Sequence, residues 1–121
     1  MASTKAAVAL ENGLVLVAAA GDDTGASQNL PTGYGAQLNL KLTNGAAGPT
    51  LPAEIQIQVS SDNAEWYDYG GALVGGVVNN GVYSWSVHIP MTVQYFRTVQ
   101  GSNTGQNVTC DIDYTHVTAV Q

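Results

Sequence analysis

Glu54-Ile55-Gln56-Ile57-Gln58-Val59, running through Ser60-Ser61-Asp62-Asn63 into Glu65-Trp66-Tyr67-Asp68-Tyr69, decides the fold of this chain. Ile55, Ile57 and Val59 share one face and Glu54, Gln56 and Gln58 the other. Side chains alternate across a strand with period two, so this is a half-buried strand and not a helix. The Ser-Ser-Asp-Asn cluster that follows bonds readily to its own backbone and favours a turn. Beyond it, Trp66, or Tyr67 and Tyr69, can close over the sheet. Asn79-Asn80-Gly81 tolerates positive φ and stands directly before Val82-Tyr83-Ser84-Trp85-Ser86-Val87-His88-Ile89. There Tyr83, Trp85, Val87 and Ile89 alternate with small or polar residues, which predicts a hairpin turn feeding a second half-buried strand. The same phase puts Trp85 in the core, where truncation to Ala is expected to cost ~3–5 kcal/mol.

Working outward, Ala36 to Thr43 points Leu38, Leu40 and Leu42 inward and Gln37, Asn39, Lys41 and Thr43 outward. Leu14-Val15-Leu16-Val17 is continuous rather than alternating, which predicts burial on both faces. Leu73-Val74 and Val77-Val78 flank Gly75-Gly76 and are expected to form one strand with a bulge or bend. Pro90 ends the Trp85 strand. Val93 to Val99 and Val108 to Tyr114 supply further strands, and polar loops occupy 21–29, closed by Leu30-Pro31, and 101–107. Seven or eight strands at short intervals, with no amphipathic helix, predict an all-β fold: an antiparallel β-sandwich, of which the jelly roll is one form. Residues 14–121 are expected to make a single domain. Residues 1–13 are expected to form an N-terminal arm, extended or with a short helical turn over Thr4 to Leu10.

A length of 121 residues suits one domain with a real core. Charged residues make up 10% of the chain, and the polar share falls to Ser, Thr, Asn and Gln. Such a surface can be buried against a neighbour without desolvating charge. The net charge is −6, and Lys5, Lys41 and Arg97 are the only strong bases. Three scattered cations cannot neutralise a run of phosphates, so no nucleic-acid partner is expected. No apolar run approaches the ~20 residues of a membrane-spanning helix. Glu11-Asn12-Gly13 interrupts the N-terminal apolar region and argues against a signal peptide. Cys110 is the single cysteine, so no intrachain disulfide is available.

Catalytic chemistry finds little support. His88 and His116 sit beside no nucleophile, and no G-x-S-x-G or H-E-x-x-H signature occurs. Cys110 shares a strand face with Val108 and Ile112 and is expected to be a buried apolar residue. Asp22-Asp23 and Asp62-Asn63 have oxygen donors but not the spacing of a calcium loop, so turn roles are expected. Asp111 and Asp113 lie on one strand face and could act on a glycoside only beneath a sugar groove. Gly70-Gly71 and Gly75-Gly76 lack the Lys-Ser/Thr of a phosphate cradle. The expectation is a protein that is not an enzyme, with no catalytic, cofactor-binding or metal-binding residues. Trp66, Tyr67 and Tyr69 are candidate ligand-facing aromatics for a sugar-binding surface.

Thr43-Asn44-Gly45-Ala46-Ala47-Gly48-Pro49-Thr50 and Ile55 through Gly71, with the S-x-D-x-x-x-W spacing of Ser60, Asp62 and Trp66, resemble small virion proteins of tailed bacteriophages. So do Ile89-Pro90-Met91-Thr92-Val93-Gln94-Tyr95-Phe96-Arg97 and Gly101 through Thr109. The similarity covers roughly residues 36 to 114, and the proteins it points to look like head decoration, or cement, proteins. It implies a β-sandwich that binds and stabilises the outer surface of the head. Its partners would be the major capsid protein and further copies of itself, as a trimer or dimer. The chain would be made in the bacterial cytoplasm and end on the capsid exterior. The similarity offers no catalytic residues. A tail or receptor-binding module, or a carbohydrate-binding β-sandwich, is the alternative, since the same strand pattern occurs there. For the decoration reading, Val8, Leu10, Leu14 and Leu16 are the candidate capsid or subunit contacts, carried on a segment expected to leave its own sandwich.

Overall fold

The computed structural model describes residues 3–30 and 35–120. Ten strand segments follow one another: β1 (Ser3–Leu16), β2 (Asp23–Thr24), β3 (Gln28–Asn29), β4 (Ala36–Asn44), β5 (Glu54–Ser60), β6 (Tyr67–Asp68), β7 (Leu73–Val74), β8 (Val82–Ile89), β9 (Tyr95–Gly101) and β10 (Val108–Val120). Helix is absent among the described residues.

The strands form two antiparallel sheets. The first has the order β1-β10-β4-β8. In the second, β9 and β5 pair centrally, β2 and β3 lie successively along the outside of β9, and β6 and β7 successively along the outside of β5. Taking each successive pair as one interrupted strand gives eight strands, with orders 1-8-3-6 and 2-7-4-5. That is the double Greek key of a jelly roll. The expected all-β sandwich is therefore the fold observed.

The inward faces follow the predicted alternation. β4 buries Leu38, Leu40 and Leu42, β5 buries Ile55 and Ile57, and β10 buries Val108, Cys110, Ile112 and Tyr114. Phe96 of β9 meets Tyr114 edge to face at 5.1 Å, an aromatic contact that joins the two sheets across the core. The Tyr114 hydroxyl finds its acceptor in Gln28 Oε1 at 3.2 Å, and burial raises its pKa.

Four expectations need correction. Residues 3–13 are not an arm: β1 pairs with β10 from Ser3↔Val120 to Leu16↔Val108. Val8, Leu10 and Leu14 pack on the chain's own core and Leu16 is buried in it. Met1 and Ala2 of the expected arm lie outside the described residues, as does Pro31 of the Leu30-Pro31 turn. Leu14 to Val17 is not buried on both faces, since Val15 on the edge strand and Val17 just beyond its end are 52% and 54% exposed. Val77 and Val78 do not continue the Leu73-Val74 strand but sit in the following loop. Finally, Asn79-Asn80-Gly81 does turn, with Asn80 at φ 56°, but makes no hairpin. The chain is crossing from the second sheet to the first there, and β8 pairs with β4.

That crossing also makes β8 an edge strand. Trp85 has the predicted inward phase but is only half-buried. Leu40, opposite it on β4, is enclosed by β10 on the other side. Leu40→Ala should cost about 2–5 kcal/mol, and Trp85→Ala less than the ~3 kcal/mol floor for an enclosed aromatic. Urea unfolding of the two variants checks this order; a larger loss for Trp85→Ala would contradict the edge placement.

Candidate functional site

One end of the sandwich gathers most of the exposed large apolar side chains. Here lie the loops after β1, β4, β7 and β9. Val17, Leu51, Val77 and Val78 are all exposed, the last two on the loop between β7 and β8. Val74 borders them on β7. Val15 and Val82 extend the patch along the last row of the first sheet, which reads Val15–Thr109–Thr43–Val82 across β1, β10, β4 and β8. An apolar patch gathered in one place marks an interaction surface more than scattered exposed residues do.

The loops are fixed from beneath by two buried asparagines. Asn44 Nδ2 donates to the carbonyls of Gly76 (3.0 Å) and Val78 (2.9 Å), while its backbone N donates to Gly81 O. Asn80 N donates to Gly45 O and Gly48 N to Asn79 Oδ1. Gly48 is required at this approach, because a Cβ there would lie 1.9 Å from the Val77 carbonyl oxygen. On the other side Asn103 Nδ2 donates to Leu16 O and Gln106 O, both at 2.9 Å, and Asn103 O accepts from Ala19 N. Leu51 bridges to Thr104. The exposed valines thus ride on ordered backbone. Sequence reasoning missed Asn44 and Asn103, because both stand in runs of turn-forming residues and their partners are distant in the chain.

The outer face of the first sheet is polar and carries a trough of about 540 Å³ lined by Asn39, Lys41, Ser84, Ser86, Asp111 and Asp113. A hydrogen-bonded row crosses it: Gln37 donates to Ser86 Oγ (2.7 Å), Ser86 to Asn39 Oδ1 (2.8 Å), and Asn39 to Asp113 Oδ1 (2.9 Å). Asp111 Oδ1 accepts from Gly13 N at 2.8 Å. Each carboxylate thus accepts one hydrogen bond from the protein at the edge of the trough.

The three candidate aromatics do not form one platform. Tyr69 packs against the core, and its hydroxyl donates to His88 O at 3.1 Å, tying the second sheet to the edge of the first. Trp66 is covered on one face by Arg97, whose guanidinium carbon lies 4.2 Å from the ring centroid in a cation–π contact. Arg97 Nε also donates to Gln58 Oε1. Tyr67 alone is largely exposed, beside a smaller hollow with Val59, Thr92 and Gln94.

Asp62 is a turn cap. The amides of Glu65 and Ala64 donate to its Oδ1 at 2.9 Å each, and with Ser60 Oγ they hold its pKa below the ordinary value. Cys110 is fully buried, and burial, with Glu11, Asp111 and Asp23 nearby, pushes its thiol up to about 12. His88 and His116 line a small hollow with Lys5 and Gln37. No group of three or more His, Cys, Asp or Glu side chains able to hold a metal ion occurs among the described residues.

No protein-family profile and no curated protein sequence matches the chain. Solved structures do. The VP2 subviral particle of infectious bursal disease virus is similar with a TM-score of 0.57 at 8% identity, over 94% of this chain and 32% of that one. The chain therefore spans about a third of the length of the viral chains it matches. The SPBc2 prophage-derived protein YomS is similar over nearly its whole length, 98% of this chain and 96% of that one, with a TM-score of 0.52 and 13% identity. A family 16 carbohydrate-binding module is similar over 90% of this chain and 76% of that one, with a TM-score of 0.50 and 11% identity. At these identities the shared property is the β-sandwich fold.

Asn44→Ala should cost about 1–3 kcal/mol, because two part-buried carbonyls lose their donor. Amide hydrogen exchange should accelerate over residues 75–81 before the strands are affected. Unchanged protection there would mean that Asn44 does not order the loop.

Proposed function

We propose that the chain is a non-enzymatic bacteriophage virion protein of the decoration type, which binds the outside of the capsid and associates with copies of itself. The apolar loop end carries this reading: Val17, Leu51, Val77 and Val78 project from loops already ordered by Asn44 and Asn103. A preordered apolar surface loses little conformational freedom on docking, which favours a fixed protein partner. It takes over the contact role expected of Val8, Leu10, Leu14 and Leu16, which serve the chain's own core. The fold shared with a virus particle protein and a prophage-derived protein supports a virion role, and the low share of charged residues, 10% of the chain, suits close packing among subunits.

The test is co-sedimentation of the purified protein with undecorated heads of its phage. Binding should saturate, and Val78→Asp should weaken it about tenfold or more, ~1.4 kcal/mol or above, without lowering the melting temperature. Labelling on the tail rather than the head, or wild-type binding by Val78→Asp, would overturn the reading.

A second reading, carbohydrate binding, is favoured by the trough over Asn39, Ser86, Asp111 and Asp113, whose acceptors and hydroxyls suit sugar hydroxyls. In that case Asp113→Ala, rather than Trp66→Ala, should remove binding on a glycan array.

A further inference from the structure

Where the chain passes from β1 to β2, oxygen-bearing side chains converge from both sheets. Glu11 follows a register shift in β1 that sets it opposite inward-facing Ile112. Its carboxylate reaches the space over Gly25: a Cβ on Gly25 would lie 3.7 Å from Glu11 Oε1 and 3.2 Å from both the carbonyl and hydroxyl oxygens of Thr98. Asp23 of β2 pairs with Gln100 of β9, and Gln100 Nε2 donates to Asp23 Oδ2 at 2.8 Å.

Gln100 is 0% exposed, and its Oε1 has no hydrogen-bond partner among the described residues. Turning the amide over would set that oxygen against the Asp23 carboxylate, so the orientation is fixed. A buried acceptor left unmatched is uncommon and calls for an explanation. Burial, and then the charge of Asp23, raise the pKa of Glu11, while both carboxylates act on the buried Cys110. The geometry places the groups together: the Gln100 amide is hydrogen-bonded to Asp23, and Glu11 reaches Gly25, two residues further along from Asp23.

We propose that Glu11, Asp23 and the side-chain oxygen of Gln100 form a binding site for a calcium ion. Two carboxylates and an amide oxygen are hard donors, and calcium accepts six to eight such oxygens in flexible geometry, water supplying the rest. The ion would offset the repulsion between the acids and give Gln100 Oε1 its partner. No third acid, imidazole or thiolate joins the set among the described residues, so the amide oxygen takes the third place. Zinc is disfavoured, since the neighbouring Cys110 thiol stays protonated and no imidazole is at hand. Bound there, calcium would clip β1 of one sheet to β2 and β9 of the other.

The test uses the full chain, stripped with a chelator and melted while calcium chloride is raised from ~10 μM to ~10 mM, the range of weaker calcium sites. The melting temperature should rise and saturate, calorimetric titration should give one site per chain, and magnesium should produce a much smaller shift. Glu11→Gln and Asp23→Asn keep side-chain size and should abolish the response while remaining folded by circular dichroism. A flat calcium response of the parent, or an equal response in both variants, overturns the proposal. So does a stripped protein that ignores calcium but gains stability on acidification through Glu11, since a shared proton would then serve the Gln100 oxygen.

Discussion

The fold depends on one insertion: β10, the last strand, must enter between β1, the first, and β4. Until it does, the first sheet has no centre. Its inward face then supplies Val108, Cys110, Ile112 and Tyr114 to the core, and its two edges bond β1 and β4 over most of their lengths. Tyr114 carries the same strand across to Phe96 of the opposite sheet. These pairings close loops of nearly the whole chain, and such non-local topology folds slowly because closure entropy is lost before contacts compensate. The N-terminal segment belongs to this insertion. Released from β10, it would uncover Val8, Leu10 and Leu14 together and strip β10 of one partner.

How much of this was legible depended on how regularly each strand keeps its period. β4, β5, β8 and β10 alternate strictly, and their inward residues match those read from sequence. β1 escaped because its pairing has three register shifts, at Thr4/Lys5, Ala9/Glu11 and Glu11/Leu14, and each resets the two-residue period. Ala6, Ala7 and Ala9 weaken the signal further, since alanine marks neither face. The site was less legible for a different reason. Val77 and Val78 resemble strand residues by type, yet they sit in a loop whose carbonyls at Gly76 and Val78 are taken by the Asn44 side chain instead of a neighbouring strand. Asn44, Asn103 and Gln100 look like ordinary polar residues; only the folded chain brings distant carbonyls and carboxylates to them.

The chain's poverty of charge raises the question of how its sheet edges avoid pairing with other chains. Edge strands are commonly blunted by charge, by bulges or by brevity. This chain uses the last two. β1 is bulged, and both margins of the second sheet consist of two-residue segments, β2, β3, β6 and β7, interrupted by turns. β8 differs: it keeps an unbroken register with β4 from Val82 to Ile89 and has no lysine, arginine or acid on it. One of its carbonyls, that of His88, is occupied by the Tyr69 hydroxyl reaching from the second sheet. The remainder of that edge is the most regular backbone the fold leaves open, and it meets the apolar loop end at Val82. A partner lying along the edge could therefore touch the exposed valines as well, so backbone pairing and apolar burial would reinforce each other at one corner of the sandwich.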